Sequence, residues 1–255
     1  MAGIKMDEAV VTTSWDDGHP LDLKLAELLK KYDIPATFYV PIDNVERECM
    51  GPGQIDEVAR SFDIGVHGYR HVDLTGIPLK EAEADIREAK DSLEEIIDRD
   101  VVCFCYPWGA CNPRIVDIVE RTGFIGARTT KSLTRSIRNI YKMGTTINAT
   151  DWWFAPYIKH ALESLDVRLF MFLLRNNLFF ESWDVIAIKT LDFVVDNGGV
   201  WHLWGHSWEI DNHDDWGRLE GVLRRISALP ERVTRVNNSQ LIRMWDGGRR
   251  QAELK

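Results

Sequence analysis

The first two thirds of the chain alternate between strand-like and helix-like segments, and this alternation constrains the fold more than any other feature. Strands are predicted where β-branched and apolar residues cluster between turn residues. Repeated strand–helix units of this length require parallel strands joined by helical crossovers. The predicted strands are Ala9–Trp15, Ala36–Pro41, Asp63–His67, Val101–Tyr106, Phe124–Thr129, Lys142–Asn148 and Gly199–His206.

Helices are predicted between these strands and after the last one, where apolar residues recur at every third or fourth position. The chain has 255 residues, of which 45% are hydrophobic, so it can bury one large core. No linker-like stretch divides it, and we predict a single α/β domain over residues 1–255. The predicted helices are 21–31, Ile55–Phe62, Leu79–Asp98, Pro113–Arg121, Tyr157–Arg175, Val185–Asn197 and Asp214–Leu229.

Charge and hydropathy argue against two kinds of partner. The formal net charge is −9, so a nucleic acid would be repelled over most of the surface. The most apolar stretch, Leu165–Phe180, is interrupted by charged and amide side chains, so no membrane span is predicted. The amino terminus lacks the basic and apolar regions of a signal peptide, and a cytoplasmic location is therefore expected. The sequence does not indicate an oligomeric state.

The four cysteines are predicted to be structural. Cys103 and Cys105 alternate within a strand, so both should point to the same face as small apolar residues. A metal cluster of Cys103, Cys105 and Cys111 is the alternative, but the sequence contains no zinc-type C-x-x-C pair. We therefore favour buried thiols in a reducing compartment.

Polar residues stand where several predicted strands end, which is where reactive groups gather in α/β barrels. Asp16 and Asp17 follow the first strand, His67 and His71 follow the third, and His206 ends the last. Each cluster alone has an ordinary explanation. An Asp-Asp-Gly sequence forms turns, two histidines can lie on a surface, and one histidine can be a hydrogen-bonded core residue.

Together these residues form a complete set for hydrolysing an amide. Two neutral imidazoles and one carboxylate leave coordination positions open for water and substrate, as is typical of a catalytic zinc-like site. A second carboxylate can act as general base on water. A histidine from another strand can then protonate the departing amine.

Four motifs resemble those of the polysaccharide deacetylases, the family that contains the NodB homology domain. Residues 14–18 (SWDDG) are similar to T-F-D-D-G, and residues 64–71 (IGVHGYRH) to H-[ST]-x-x-H preceded by isoleucine and glycine. Residues 104–109 (FCYPWG) stand where F-R-P-P-Y-G is expected, and residues 203–206 (LWGH) match L-x-x-H. The resemblance covers about residues 8–210. It implies a distorted (β/α)7 barrel and one divalent metal, usually Zn²⁺ or Co²⁺.

The resemblance also implies a role for each polar residue of the predicted site. Asp17, His67 and His71 would be the metal ligands. Asp16 would be the general base that activates water, and His206 would be the general acid that protonates the amine.

On the substrate side, the resemblance implies that the backbone N–H of Tyr106 helps to bind the oxyanion, in a turn locked by Pro107. Leu203 and the neighbouring Trp204 would line the pocket for the acyl methyl group. Trp108 lies in the same turn as Tyr106, and pyranose faces pack against such aromatic rings. Most other tryptophans are expected in the core.

The chain departs from the family pattern at two motifs. Cys105 stands where an arginine normally holds the catalytic aspartate, so the usual partner of Asp16 is missing from that position. Arg128 or Arg70 could replace it, and the sequence does not choose between them. The motif D-x-x-D-W is only faintly echoed by residues 151–152.

Three functions remain open on this evidence. The leading hypothesis is a metal-dependent N-deacetylase of an amino sugar in a polysaccharide, an oligosaccharide, or a lipid- or nucleotide-linked precursor. The second is a hydrolase of cyclic amides or other small C–N substrates on the same barrel. The third is a non-catalytic sugar-binding barrel, suggested by the missing arginine.

Overall fold

A computed structural model describes residues 8–151 and 166–253 of the chain. Its strands are parallel and closely match the predicted ones, because each combines β-branched or apolar residues with a turn at its end. The described strands are β1 (Ala9–Asp16), β2 (Ala36–Val40), β3 (Asp63–Val66), β4 (Cys103–Cys105), β5 (Gly126–Arg128), β6 (Ile147–Asn148), β7 (Gly199–Gly205) and β8 (Thr234–Arg235).

Helices cover the outside of the sheet and one end of it. Their amphipathic sequences bury one face against the strands. None of the described helices is both long and apolar enough to cross a membrane. They are α1 (Asp22–Lys31), α2 (Pro52–Ala59), α3 (Leu79–Ile97), α4 (Pro113–Arg121), α5 (Val167–Arg175), α6 (Trp183–Asn197), α7 (Ser207–Asn212), α8 (Trp216–Ser227) and α9 (Asn238–Glu253).

The strands follow one another in the order β5-β4-β3-β2-β1-β7-β6. The segment before β6 completes the ring, since Met143 donates its N–H to the Ala127 carbonyl at 2.9 Å and accepts the Thr129 N–H at 2.8 Å. The short strand β8 pairs with β1 beside this ring. The predicted distorted (β/α)7 barrel is confirmed.

Successive residues of each strand pack on opposite sides of the barrel wall. Outward residues such as Trp15 and Phe104 join a large core with the helices. Inward residues join a smaller cluster, which includes Tyr39 and both strand cysteines, Cys103 and Cys105. The two thiols are buried and unpaired, so the prediction that they share one face is confirmed.

Several details differ from the predicted elements. The strand predicted for Lys142–Asn148 is reduced to β6. Lys142 ends a 3₁₀ turn that begins at Ile140, and Met143 forms only an isolated bridge to Arg128. The elements α7, β8 and α9 were not predicted from the sequence, since short or strongly charged segments give weak periodicity. The first part of the helix predicted for Tyr157–Arg175 lies outside the described residues.

The first residue of α9, Asn238, closes the amino-terminal end of the barrel. Its side-chain oxygen accepts from the Thr12 hydroxyl at 2.8 Å, and its amide donates to the Tyr39 hydroxyl at 2.9 Å. Its backbone N–H donates to the Thr37 hydroxyl at 2.9 Å. The residue is fully buried, so these hydrogen bonds replace all contact with water.

We expect Asn238→Ala to lower the free energy of unfolding by roughly 2–4 kcal/mol, because it leaves buried hydroxyl partners unsatisfied. Urea denaturation measures this change. The matched control is Asn176→Ala, since Asn176 bonds only a neighbouring carbonyl at an exposed helix end. The control should change stability by less than about 0.5 kcal/mol. Equal stability of the two variants would contradict the closing role of Asn238.

Candidate active site

The loops that follow the strands surround a pocket of about 230 Å³ at the carboxyl-terminal end of the barrel. Parallel strands bring these loops to one edge, which is why residues distant in sequence meet here. The pocket contains every residue predicted for the site except Leu203. Its lining consists of Asp16, Asp17, Glu46, Arg47, His67, His71, Tyr106, Trp108, Thr130, Trp204, His206, Trp208 and Glu209.

Three buried side chains converge at the bottom of the pocket. Asp17 Oδ1 lies 3.2 Å from Nε2 of His71 and 3.7 Å from Nε2 of His67. Although it is buried, this oxygen has no hydrogen-bond partner among the described residues. Buried polar atoms normally have partners, so a carboxylate oxygen left between two imidazole nitrogens fits a divalent cation.

The protonation of His67 suits this arrangement. Its Nδ1 lies 2.9 Å from the Cys105 carbonyl, which can only accept, so Nδ1 carries the hydrogen and Nε2 keeps its lone pair. Burial lowers the pKa of His67 to about 4. The imidazole is therefore neutral near neutral pH, which is the form that ligates metals.

His71 completes the set from a tight turn. Its Nδ1 lies 3.3 Å from Oε2 of Glu46, a residue of the loop after β2 that the sequence did not indicate. The backbone of both Asp17 and His71 is left-handed, with φ of 77° and 56°. Such conformations cost about 1–2 kcal/mol in residues with a Cβ atom and concentrate at functional sites.

Asp16 has a different partner from its neighbour Asp17. Nη2 of Arg128 contacts both carboxylate oxygens of Asp16, and both side chains are buried. Arg128 is the direct neighbour of Cys105 in the β4–β5 register, so the arginine missing from β4 is supplied by the next strand. Arg70 instead lies 3.6 Å from Asp85.

A second possible ligand group, formed by Asp16, His67 and Cys105, is less suited to a cation. Arg128 already neutralises Asp16, and the Nδ1 atom of His67 is bonded to the Cys105 carbonyl. Burial also raises the pKa of the Cys105 thiol well above its ordinary value, so the metal-binding thiolate is not formed. The group around Asp17 is the better candidate.

His206 faces the same pocket from the end of β7. Its Nδ1 lies 2.6 Å from Oε2 of Glu209, and its Nε2 lies 3.8 Å from Oδ2 of Asp17. Burial alone would lower the pKa of His206, but the Glu209 hydrogen bond and the Asp17 charge outweigh it and raise the pKa. Sequence reasoning missed Glu209, although its spacing of three from His206 at the start of α7 was a usable signal.

Asp151, the first residue of the D-x-x-D-W echo, does not line the pocket. Asp151 accepts from the Trp183 N–H and from Arg218, both at 2.8 Å. Trp152, the second residue of the echo, and the neighbouring Trp153 lie outside the described residues.

The role predicted for the Tyr106 N–H is wrong. This N–H donates to the Arg128 carbonyl at 3.1 Å as part of the sheet, and the Tyr106 hydroxyl donates to the Tyr141 carbonyl. Pro107 has no N–H, so the next donor is the N–H of Trp108, which has no acceptor among the described residues. Trp108 lines the pocket with a left-handed φ of 60°, and its side chain is 59% exposed.

The prediction for Leu203 is also wrong, and strand alternation is the reason. Leu203 is fully buried in the outer core, together with Trp201 two residues earlier. Successive residues of β7 face opposite sides, so Trp204 faces inward. As predicted, Trp204 lines the pocket, where its ring lies 5.5 Å from that of His206.

Comparisons with known proteins agree with this geometry. Residues 3–127 match the family model described as polysaccharide deacetylase. Among curated proteins, none matches this sequence significantly.

Solved structures resemble the chain in fold over nearly its whole length. A Mycobacterium smegmatis protein, provisionally described as a polysaccharide deacetylase, has a TM-score of 0.68 at 15% identity, covering 98% of this chain and 94% of its own. For the chitin deacetylase of Colletotrichum lindemuthianum the TM-score is 0.60 at 15% identity, covering 93% and 89%. For the peptidoglycan deacetylase PdaC of Bacillus subtilis it is 0.58 at 16% identity, covering 100% and 98%. Residues 3–127, which contain both aspartates and the two histidines of the convergent group, therefore belong to the polysaccharide deacetylase family, whose members are hydrolases acting on C–N bonds.

Proposed function

We propose that the protein is a metal-dependent N-deacetylase that hydrolyses the acetamide of an N-acetylated amino sugar. One observation carries this proposal. A single pocket combines a convergent group of Asp17, His67 and His71 with two further groups, Asp16 and His206, that are held by partners of their own. This combination provides ligands, a base and an acid for amide hydrolysis.

Asp17, His67 and His71 would hold the metal. One carboxylate and two neutral imidazoles suit Zn²⁺, and Co²⁺ accepts the same donors. When bound, the ion supplies a Lewis acid for the acetyl carbonyl and makes water acidic enough to lose a proton near neutral pH.

Asp16 would accept the proton of the attacking water. Arg128 fixes the orientation of the Asp16 carboxylate without exhausting its acceptor capacity, since a carboxylate offers about four lone-pair sites. This makes Asp16 a base and Arg128 its positioning residue. Asp17, by contrast, turns its Oδ1 towards the two histidines.

The remaining residues of the pocket would provide a proton donor, a hydrogen-bond donor and apolar packing surfaces. His206, protonated with the help of Glu209, would give its proton to the departing amine. The free N–H of Trp108 would donate to the developing oxyanion, which is the role first assigned to Tyr106. Trp204 would pack against the acyl methyl group, and the exposed ring of Trp108 would pack against the sugar.

A sugar substrate is supported by the family and by the fold. The chitin deacetylase and the peptidoglycan deacetylase that share the barrel act, by their names, on polymers of acetylated sugars. The exposed ring of Trp108 at the pocket rim offers a flat apolar surface on which the face of a pyranose ring can pack.

We expect the zinc-loaded protein to release acetate from N-acetylglucosamine oligomers or a related N-acetylated sugar. The measurement is acetate release across a panel of acetylated sugars, with cyclic imides as competing substrates. Asp17→Ala should reduce kcat/KM by at least roughly a hundredfold, since even outer partners of a metal site contribute 10–100-fold. Hydrolysis of imides without acetate release from any sugar would refute the deacetylase proposal.

We also expect Glu209→Gln to move the alkaline limb of the kcat–pH profile to lower pH. His206 must be protonated to act as an acid, so activity is present below its pKa and is lost as pH rises through it. Glu209 raises this pKa, and its neutral replacement lowers it. The control is Glu57→Gln, an exposed glutamate of α2. A uniform loss of kcat at every pH would show that Glu209 has only a structural role.

A further inference from the structure

The loop after β2, residues 41–51, reaches over the pocket and is anchored at several points. Its Asp43 N–H donates to the Tyr69 carbonyl at 2.8 Å, and its Met50 N–H donates to the Gly18 carbonyl at 2.7 Å. Within the loop, the Glu46 N–H donates to the Asn44 side chain at 3.0 Å. The loop therefore places its side chains at fixed positions beside the residues that follow β1 and β3.

Arg47 of this loop lies over the ring of a tryptophan in the pocket wall. Its guanidinium carbon is 3.5 Å from the ring centroid of Trp208. The indole N–H of Trp208 in turn donates to Oδ2 of Asp17 at 2.9 Å. Stacking of this kind restrains a guanidinium and leaves its edge N–H groups to donate in the plane.

The charges of the pocket leave Arg47 without a strong partner. Asp16 is paired with Arg128, and Glu209 with His206 at 2.6 Å. Glu46 and Asp17 each lie within 3.3 Å of a nitrogen of His71.

Arg47, by contrast, has no hydrogen bond to any described residue. Its nearest carboxylate oxygen is Asp17 Oδ2, at 3.7 Å from Nε, and its side chain is 37% exposed. The cation is thus placed in the pocket and is free to donate to a ligand.

We infer that Arg47 recognises an anionic group on the substrate, carried by a carbon atom next to the one that bears the acetamide. This inference rests on the proposed deacetylase function. Arg47 contacts one oxygen of Asp17, while the other oxygen of that carboxylate faces His67 and His71. An anion held by Arg47 and an acetamide directed at the histidines must therefore lie close together on one sugar ring.

Two substituents place an anion at this position in a 2-acetamido sugar. One is a phosphate on C1, and the other is a carboxylate on an ether at C3. Both present oxygen pairs that a planar guanidinium binds with two parallel hydrogen bonds. The shared chemistry is an oxyanion that flanks the acetamido carbon.

The test compares three sugars that differ at these positions. They are N-acetylglucosamine 1-phosphate, N-acetylmuramic acid and the neutral methyl glycoside of N-acetylglucosamine. In Arg47→Gln, KM for the preferred anionic sugar should rise roughly tenfold to a hundredfold, the effect of a charged hydrogen bond. KM for the neutral sugar should rise by a clearly smaller factor, because only the anionic sugar loses a charged hydrogen bond. Arg47→Lys, which keeps the charge but not the planar fork, should give an intermediate loss.

Equilibrium binding of the deacetylated products, measured by calorimetry, gives a readout that does not depend on turnover. The wild-type protein should bind the product that carries the phosphate or carboxylate more tightly than methyl glucosaminide, which has the same amine but no oxyanion, and Arg47→Gln should abolish this difference. Arg60→Gln, an exposed arginine paired with Asp56 on α2, is the matched control and should preserve it. Equal affinity for the products with and without the oxyanion, or an equal loss of affinity for both in Arg47→Gln, would overturn the inference. Absence of acetate release from these three sugars and also from N-acetylglucosamine oligomers would overturn the proposed function instead.

Discussion

The ion pair between Asp16 and Arg128 lies inside the barrel wall, and the arrangement of the pocket depends on it. Both groups are buried, and each would be costly there without the other, because removing one partner of a buried pair leaves an uncompensated charge. The pair also links β1 to β5 across the barrel interior, where Cys105 offers no charge. As a result, the carboxylate of Asp16 is held in one orientation by Arg128.

Because Asp16 is paired with Arg128, the adjacent carboxylates of Asp16 and Asp17 can have different roles. Asp16 is the last residue of β1, and the left-handed turn at Asp17 directs the next carboxylate to His67 and His71. Two acids with different partners can serve different purposes, one as a proton acceptor and the other as a ligand. The two arginines of the pocket also differ, because Arg128 is buried and paired with Asp16 whereas Arg47 remains accessible at the pocket wall.

Much of this arrangement could be predicted from the sequence. The alternation of strands and helices predicted parallel strands with helical crossovers, and the resemblance to a known family implied the barrel. The grouping of Asp17, His67 and His71 was predictable because residues just after parallel strands lie at one end of a barrel. For Tyr106 and Leu203, the predicted position at a strand end was right, but the predicted direction of the N–H or of the side chain was wrong. A residue at the right strand end can still turn its N–H into the sheet or its side chain to the outer core.

Other parts of the site could not be predicted, because no periodic pattern marks them. Glu46 and Arg47 lie in an irregular loop whose path is set by hydrogen bonds to distant backbone groups. Arg128 rather than Arg70 is the partner of Asp16 because of the strand register. The register places Arg128 beside Cys105, whereas Arg70 lies outside the barrel interior. Such relations exist only after the chain has folded.

The most direct test of the account is a zinc titration of the metal-free protein with acetate release as the readout. Activity on an N-acetylated sugar should rise in proportion to added Zn²⁺ and level off at about one ion per chain, as a three-ligand site predicts. The double variant His67→Ala, His71→Ala should bind no ion and release no acetate, whereas the exposed control His213→Ala should match the wild type. Acetate release without metal, or undiminished metal content in the double variant, would contradict the proposed centre.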